Sequence, residues 1–162
     1  MGDDTSGRGN GVSRLSLSPE ARLVTVIILL ATPAIMLGGL SLLGILSKGM
    51  AGQVILPLEP DGMQWALGRA GHAHAGVWVI ISLVIQVLLD AARLPRGLMW
   101  VARLSPPGGA AALSSGLLGL AFVPAARWLV YLGAASMALG LVLTAIGLWR
   151  NRPPGEARPS IR

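Results

Sequence analysis

The sequence predicts an all-α integral membrane protein, a four-helix bundle with both termini on the cytoplasmic side. Three observations carry that expectation. Of the 162 residues 53% are hydrophobic and only 12% are charged, with a mean hydropathy of +0.67, whereas a soluble domain is about one quarter charged. The apolar residues fall in long runs with arginines at their ends. Those arginines lie mostly on one side of the membrane once the runs are threaded through it. The chain has no cysteine, which excludes a disulfide framework, a thiolate metal site and a thiol redox centre. Its formal net charge of +6 does not point to nucleic acid, because no basic residue interrupts the apolar runs to make a phosphate-binding groove.

Residues 1–21, rich in Gly, Ser and charge and without apolar periodicity, read as a disordered cytoplasmic N-terminus. The membrane domain, residues 22–150, begins with a span over about 23–46, "LVTVIILLATPAIMLGGLSLLGIL". That run exceeds the roughly 20 residues that cross the hydrocarbon and has no small-residue cleavage site, so it reads as a retained span. Pro33 deprives the Leu29 carbonyl of its donor and predicts a kink. Gly38 and Gly39 leave room for a neighbouring helix. Residues 48–68, broken by Pro57 and Pro60, read as an interfacial loop with Trp65 at headgroup depth and Met50, Val54 and Ile55 dipping into the interface.

The second span covers about 70–92 and opens on both histidines of the chain. A connecting segment with Arg93, Arg96 and Arg103 is expected to break at Pro106 and Pro107, before a short third span over 109–125. Only "PAAR" separates it from the fourth, 128–149, which forces an antiparallel hairpin. Ser115 and Gly119, and Ser136, Gly140 and Thr144, recur every four residues, as close helix packing in lipid requires. The basic, Pro-rich tail 151–162 reads as disordered.

With the N-terminus inside, Arg8, Arg14, Arg22, Arg93, Arg96, Arg103, Arg150, Arg152, Arg158 and Arg162 are cytoplasmic, and only Lys48, Arg69 and Arg127 are outside. This positive-inside bias implies a multi-pass protein of the cell inner membrane with the histidines near the outer face.

Ionisable groups inside the spans are few, and burying one costs a few kcal/mol, so each is expected to face a partner, a cavity or a cofactor. His72 and His74 stand two residues apart and point about 200° away from each other on a helix, so a shared metal ion would need an unwound turn at Gly71. Arg69, His72, Gly76, Val79, Leu83, Gln86 and Asp90 form a polar stripe expected to look into the bundle. His74 shares another face with Trp78, Ile81 and Ile85, pointing to lipid, a second subunit or a bulky apolar ligand. Asp90 with Arg93 reads as a helix-end ion pair, with Gln86 beside it leaving a proton path open.

The cluster "GHAHAGVW" suits haem. That flat apolar group needs an axial imidazole from His74 or His72, clearance at Ala73, Ala75 and Gly76, a propionate partner in Arg69 and ring-edge packing from Trp78. A bare metal ion would want three or four ligands, and the chain offers two histidines.

The stretch "RAGHAHAGVWVIISLV" resembles the second helix of subunit I of the haem-copper oxidases, where a histidine in a His-Ala or His-Gly context ligates the low-spin haem. It is still more similar to small four-span bacterial membrane proteins described as oxidase subunit I-like, with a "HAHxxxxGW"-type segment in the same place. The likeness covers about 15 residues and the layout of the first two spans. The later glycine of that motif has no counterpart, because Trp78 follows Val77 directly. The copper-ligating histidines, cross-linked tyrosine and second haem ligand of the oxidases lie on helices beyond those matched. The resemblance therefore implies a haem site at most, with a sixth ligand from Met36, Met137 or a histidine of a second copy, or with none.

Three functions fit: haem binding for electron transfer, haem handling or sensing; a non-enzymatic subunit or oligomerisation module with interfacial, structural histidines; and a metal-handling accessory or transporter using His72, Gln86 and Asp90 as a polar path. No catalytic residues are expected, since no nucleophile, base and acid group together near the histidines. The expected partners are the bilayer and a homodimer or larger assembly.

Overall fold

The structure, a computed structural model, describes residues 16–50 and 62–151. The expectations for the terminal tails beyond these bounds, and for Met50, Val54 and Ile55 at the interface, lie outside the described backbone or side chains. Four helices follow one another: α1 (Pro19–Met50), α2 (Met63–Asp90), α3 (Arg96–Leu120) and α4 (Arg127–Arg150), the last entered through a single 3-10 turn at Pro124–Ala126. No strand occurs among the described residues.

Three segments, Pro19–Ser41, Met63–Asp90 and Pro124–Arg150, are long and apolar enough to cross a membrane. Their outward faces carry large apolar side chains, among them Leu30, Leu37 and Leu40 on α1, Ile80 and Val84 on α2, and Leu132 and Val142 on α4. A surface so continuously apolar is far beyond what a water-facing helix shows.

Each helix start has a local cause. Ser18 caps α1 through its Oγ, which accepts from the Ala21 N–H at 3.2 Å. Pro19 follows as the first helical residue and Glu20 complements the positive end of the helix dipole. The helix continues through Pro33. Helix α2 begins seven residues before its expected span, at Met63 after Gly62. Trp65 is thus not in an interfacial loop but in the first turn, buried at 5% exposure. Gln64 ties that turn to the end of α3, its Nε2 donating to the Ala121 carbonyl at 3.0 Å.

The largest departure concerns Pro106 and Pro107, which lie inside α3 instead of ending a loop. Two consecutive prolines remove the N–H groups that the Ala102 and Arg103 carbonyls would accept from. The Gln86 side chain of α2 substitutes for one of them, with Nε2 donating to the Arg103 carbonyl at 3.0 Å. In the same turn Ser136 of α4 donates through Oγ to the Ser105 carbonyl at 2.9 Å. Gln86 thus takes over part of the bonding that α3 cannot make for itself, and Ser136 adds a tie between α3 and α4.

Glycines bring α3 and α4 together. Gly109 and Gly116 on α3, and Gly133, Gly140 and Gly147 on α4, recur at intervals of seven. All five are buried. A Cβ on Gly133 would lie 2.5 Å from the Leu113 backbone nitrogen, and one on Gly140 would lie 2.6 Å from Pro106 Cγ. Backbone therefore meets backbone along this seam, the geometry that small residues permit in lipid. Gly140 and Thr144 are buried on it. Ser115 is not, being exposed with its hydroxyl turned back to the Ala111 carbonyl at 2.6 Å.

Successive helices run antiparallel. Ser18 meets Asp90 while Gly39 meets His72, and Gln86 meets Arg103 while Gly71 meets Ser114. Helices α2, α3 and α4 pack together, most tightly around Ile85, Leu89, Ala102 and Leu143. Helix α1 lies along α2, touches α3 briefly and nowhere approaches α4 among the described residues. The four helices are thus not a symmetric closed bundle, but a three-helix core with α1 laid against one side.

Candidate functional site

The polar groups of α2 collect at its two ends, and the ends are built differently. At the Asp90 end, Arg103 reaches across from α3 with only 3% of its side chain exposed. Its Nη2 pairs with Asp90 Oδ1 at 2.6 Å. Its Nη1 donates to the backbone carbonyl and to Oε1 of Gln86, both at 3.3 Å. Ser18 completes the cluster: its N–H donates to Asp90 Oδ2 at 2.8 Å and its hydroxyl to Asp90 Oδ1 at 2.6 Å. Arg103 Nη2 in turn donates to Ser18 Oγ at 3.1 Å. A buried guanidinium needs a counter-charge and acceptors for most of its N–H groups, and this arrangement supplies both.

Two expectations are corrected here. Asp90 pairs with Arg103 rather than with Arg93, because α3 brings the Arg103 fork alongside the last turn of α2. Arg93 instead lies past the helix end, where its backbone N–H bonds to the Gly147 carbonyl at 2.9 Å. Nor do His72, Gln86 and Asp90 form a polar path. Gln86 is fully buried and engaged by Arg103, and about 20 Å of helix separates it from His72.

At the other end the histidines meet little. The His72 ring rests on α1, with Nε2 and Cε1 each 2.5 Å from where a Cβ on Gly39 would stand, so this glycine makes room for the imidazole. His74 is exposed, and its one hydrogen bond among the described residues runs from Nδ1 to the Ala70 carbonyl at 2.7 Å. A carbonyl only accepts, so Nδ1 carries the proton and Nε2, across the ring, keeps its lone pair.

The remaining candidate residues divide between these two sides. Arg69 and Gly76 are exposed and sit nearer to His72 in helical angle, about 140° and 160° from His74. They do not join a site centred on His74. The polar stripe turns inward only in its lower part, at Gln86. Trp78 lies one turn below His74, partly buried, and its Nε1 has no hydrogen-bond partner among the described residues. Farther down that face Ile85 enters the core at 2% exposure, so the face is outward only around His74.

To a haem, His74 offers an imidazole anchored through Nδ1, with Nε2 unbonded among the described residues, the small residue Ala73 beside it and Trp78 one turn along the helix. Met137 is no sixth ligand, being 2% exposed and wedged against Gly109. Met36 is exposed, but on α1, which packs against the His72 side of α2. Neither methionine is thus placed opposite His74 among the described residues. No three of the described His, Asp and Glu residues group to hold a bare metal ion.

Neither family models, nor curated proteins, nor solved structures match this chain. Arg103 and Ser18 were absent from the sequence-derived site. Arg103 had a visible mark, a lone cation six residues ahead of the run at 109–125 and three before a Pro-Pro pair, and "SPE" at 18–20 is a helix-start pattern.

Proposed function

We propose that this chain is a four-span protein of the cell inner membrane, with both termini cytoplasmic, that binds haem through His74 as a homodimer. Its role would be electron transfer, haem handling or sensing. The observation that carries the reading is the His74 ring itself. Imidazoles that ligate metals typically hold their second ring N–H on a carbonyl or carboxylate, which fixes the tautomer and raises the basicity of the ligating nitrogen. Nδ1 on the Ala70 carbonyl at 2.7 Å has that form, on an exposed stretch of α2.

Support for a fourth crossing comes from packing. Helix α3 has 25 residues, enough for about 37 Å. It runs beside α2 and α4 along their length, from Gln86 and Arg103 at one end to Gly116 and Val130 at the other. Its one deeply placed charge, Arg103, is neutralised by Asp90. The distribution of arginines sets the orientation.

In this reading His74 binds the iron, Trp78 packs against the ring edge, and a second copy brings the other His74. Bound haem would supply one-electron chemistry. The protein purified in detergent should show a Soret band, as isolated or after hemin is added, with the narrow visible bands of a low-spin, two-nitrogen-ligated iron. A preparation that stays spectrally unchanged with hemin removes the proposal.

A further inference from the structure

We infer that the Asp90 end of the helices carries a binding site for the phosphate headgroup of an anionic phospholipid, in a recess between Arg93 and Arg150. The recess opens where the end of α2, the start of α3 and the end of α4 converge. It is shallow and open to the outside, about 520 Å³ in volume, and is lined by Ala92, Arg93, Leu94, Pro95 and Arg150. Its two cations come from different helix ends yet face one space.

Among the described residues neither guanidinium has an acidic partner. The described acids are Glu20 and Asp90, and the one ion pair among the described residues joins Asp90 to Arg103. Arg22, Arg93, Arg96, Arg103 and Arg150 all belong to this end, so it keeps an excess of positive charge after that pair is formed. The recess is also held in shape. The Arg93 N–H bonds to the Gly147 carbonyl at 2.9 Å, and Asn151 Nδ2 donates to the Ala91 carbonyl at 2.6 Å, which clamps the α2–α3 connection onto the end of α4.

The chemistry of the lining selects the ligand. Two guanidiniums offer forked N–H donors suited to a phosphate. The rest of the wall, Ala92, Leu94 and Pro95, is apolar, which suits a phosphate carried at the edge of hydrocarbon better than one free in water. Trp149, 64% exposed beside Arg150 on the last turn of α4, is the residue type that sits at headgroup depth. Basic pockets between helix ends on the cytoplasmic side are a recurring means of holding anionic headgroups. The inference rests on the membrane reading above and is independent of haem.

The test uses the full chain in neutral detergent and the thermal midpoint gained on adding phosphatidylglycerol, compared with phosphatidylcholine or inorganic phosphate. Arg93→Gln and Arg150→Gln are set against Arg127→Gln, which removes a charge from the opposite end of α4. Phosphatidylglycerol should raise the wild-type midpoint by about 5 °C. Each of the first two substitutions should weaken apparent affinity roughly fivefold, while Arg127→Gln keeps the full gain. Because the readout is the gain and not the midpoint itself, a change in basal stability does not imitate the effect. An equal loss in Arg127→Gln, or an equal gain from inorganic phosphate or phosphatidylcholine, overturns the site. A chain that needs no detergent would instead overturn the membrane reading.

Discussion

The two ends of α2 use similar materials in opposite ways. At one end Ser18, Gln86, Asp90 and Arg103 bond to one another across three helices, with Arg103 Nε the one atom of their side chains that is buried and unpartnered among the described residues. At the other, His74 bonds among the described residues only to its own helix, and His72 presses an imidazole into the space left by Gly39. Polar groups inside a membrane helix are not alike simply because they are polar. Those whose donors and acceptors close on each other hold the fold, and one with an unclaimed lone pair is available for binding.

Opening the closed end should give the largest effect. Arg103→Ala strips Asp90 of its counter-charge and Gln86 of its partner, and should destabilise the folded protein by about 3 kcal/mol, read as a fall in the thermal midpoint in detergent. A comparable loss is expected from Gly133→Ala, whose added Cβ would meet the Leu113 backbone nitrogen at 2.5 Å. Gly76→Ala, with nothing within 4 Å of the new carbon, should leave the midpoint unmoved.

A smaller effect comes from removing the two hydrogen bonds that the Gln86 side chain makes with Arg103. Gln86→Leu leaves the Arg103 carbonyl without a donor, at a cost of about 1 to 2 kcal/mol. In a Pro107→Ala background the helix regains its own N–H for that carbonyl, so the same substitution should cost less. Equal costs in the two backgrounds would mean that Gln86 does not act as a replacement for the missing backbone donor. A small stability change also belongs to His74→Ala, which among the described residues removes only a contact within α2 and should shift the midpoint by no more than about 1 °C.

How much of this was legible in the sequence follows from range. The helices announced themselves through apolar run length, a property of neighbouring residues, and so did the α3–α4 hairpin through its four-residue turn. The course of α3 was not legible. Pro106 and Pro107 argue locally for a break, and what carries the helix across them is Gln86, distant in sequence and on another helix. Asp90 was recognisable as a group needing a partner, but proximity in sequence suggested Arg93, whereas packing delivered Arg103. The seven-residue spacing of glycines was present in the chain, yet only the pairing of α3 with α4 distinguishes Gly133 and Gly140 from Gly76. At the histidine end, helical angle alone separated His72 from His74. Which of them would lie against α1 depended on Gly39, a residue of another helix.

The central claim is that the free imidazole nitrogen of His74, and not His72 or the Asp90 cluster, is the chain's point of attachment for a ligand. Hemin titration of the wild type, His72→Ala and His74→Ala in detergent tests it most directly. The account predicts a Soret band that saturates in the wild type and in His72→Ala and is absent in His74→Ala, with all three proteins melting within a few degrees of one another. A band that survives in His74→Ala and disappears in His72→Ala would contradict it.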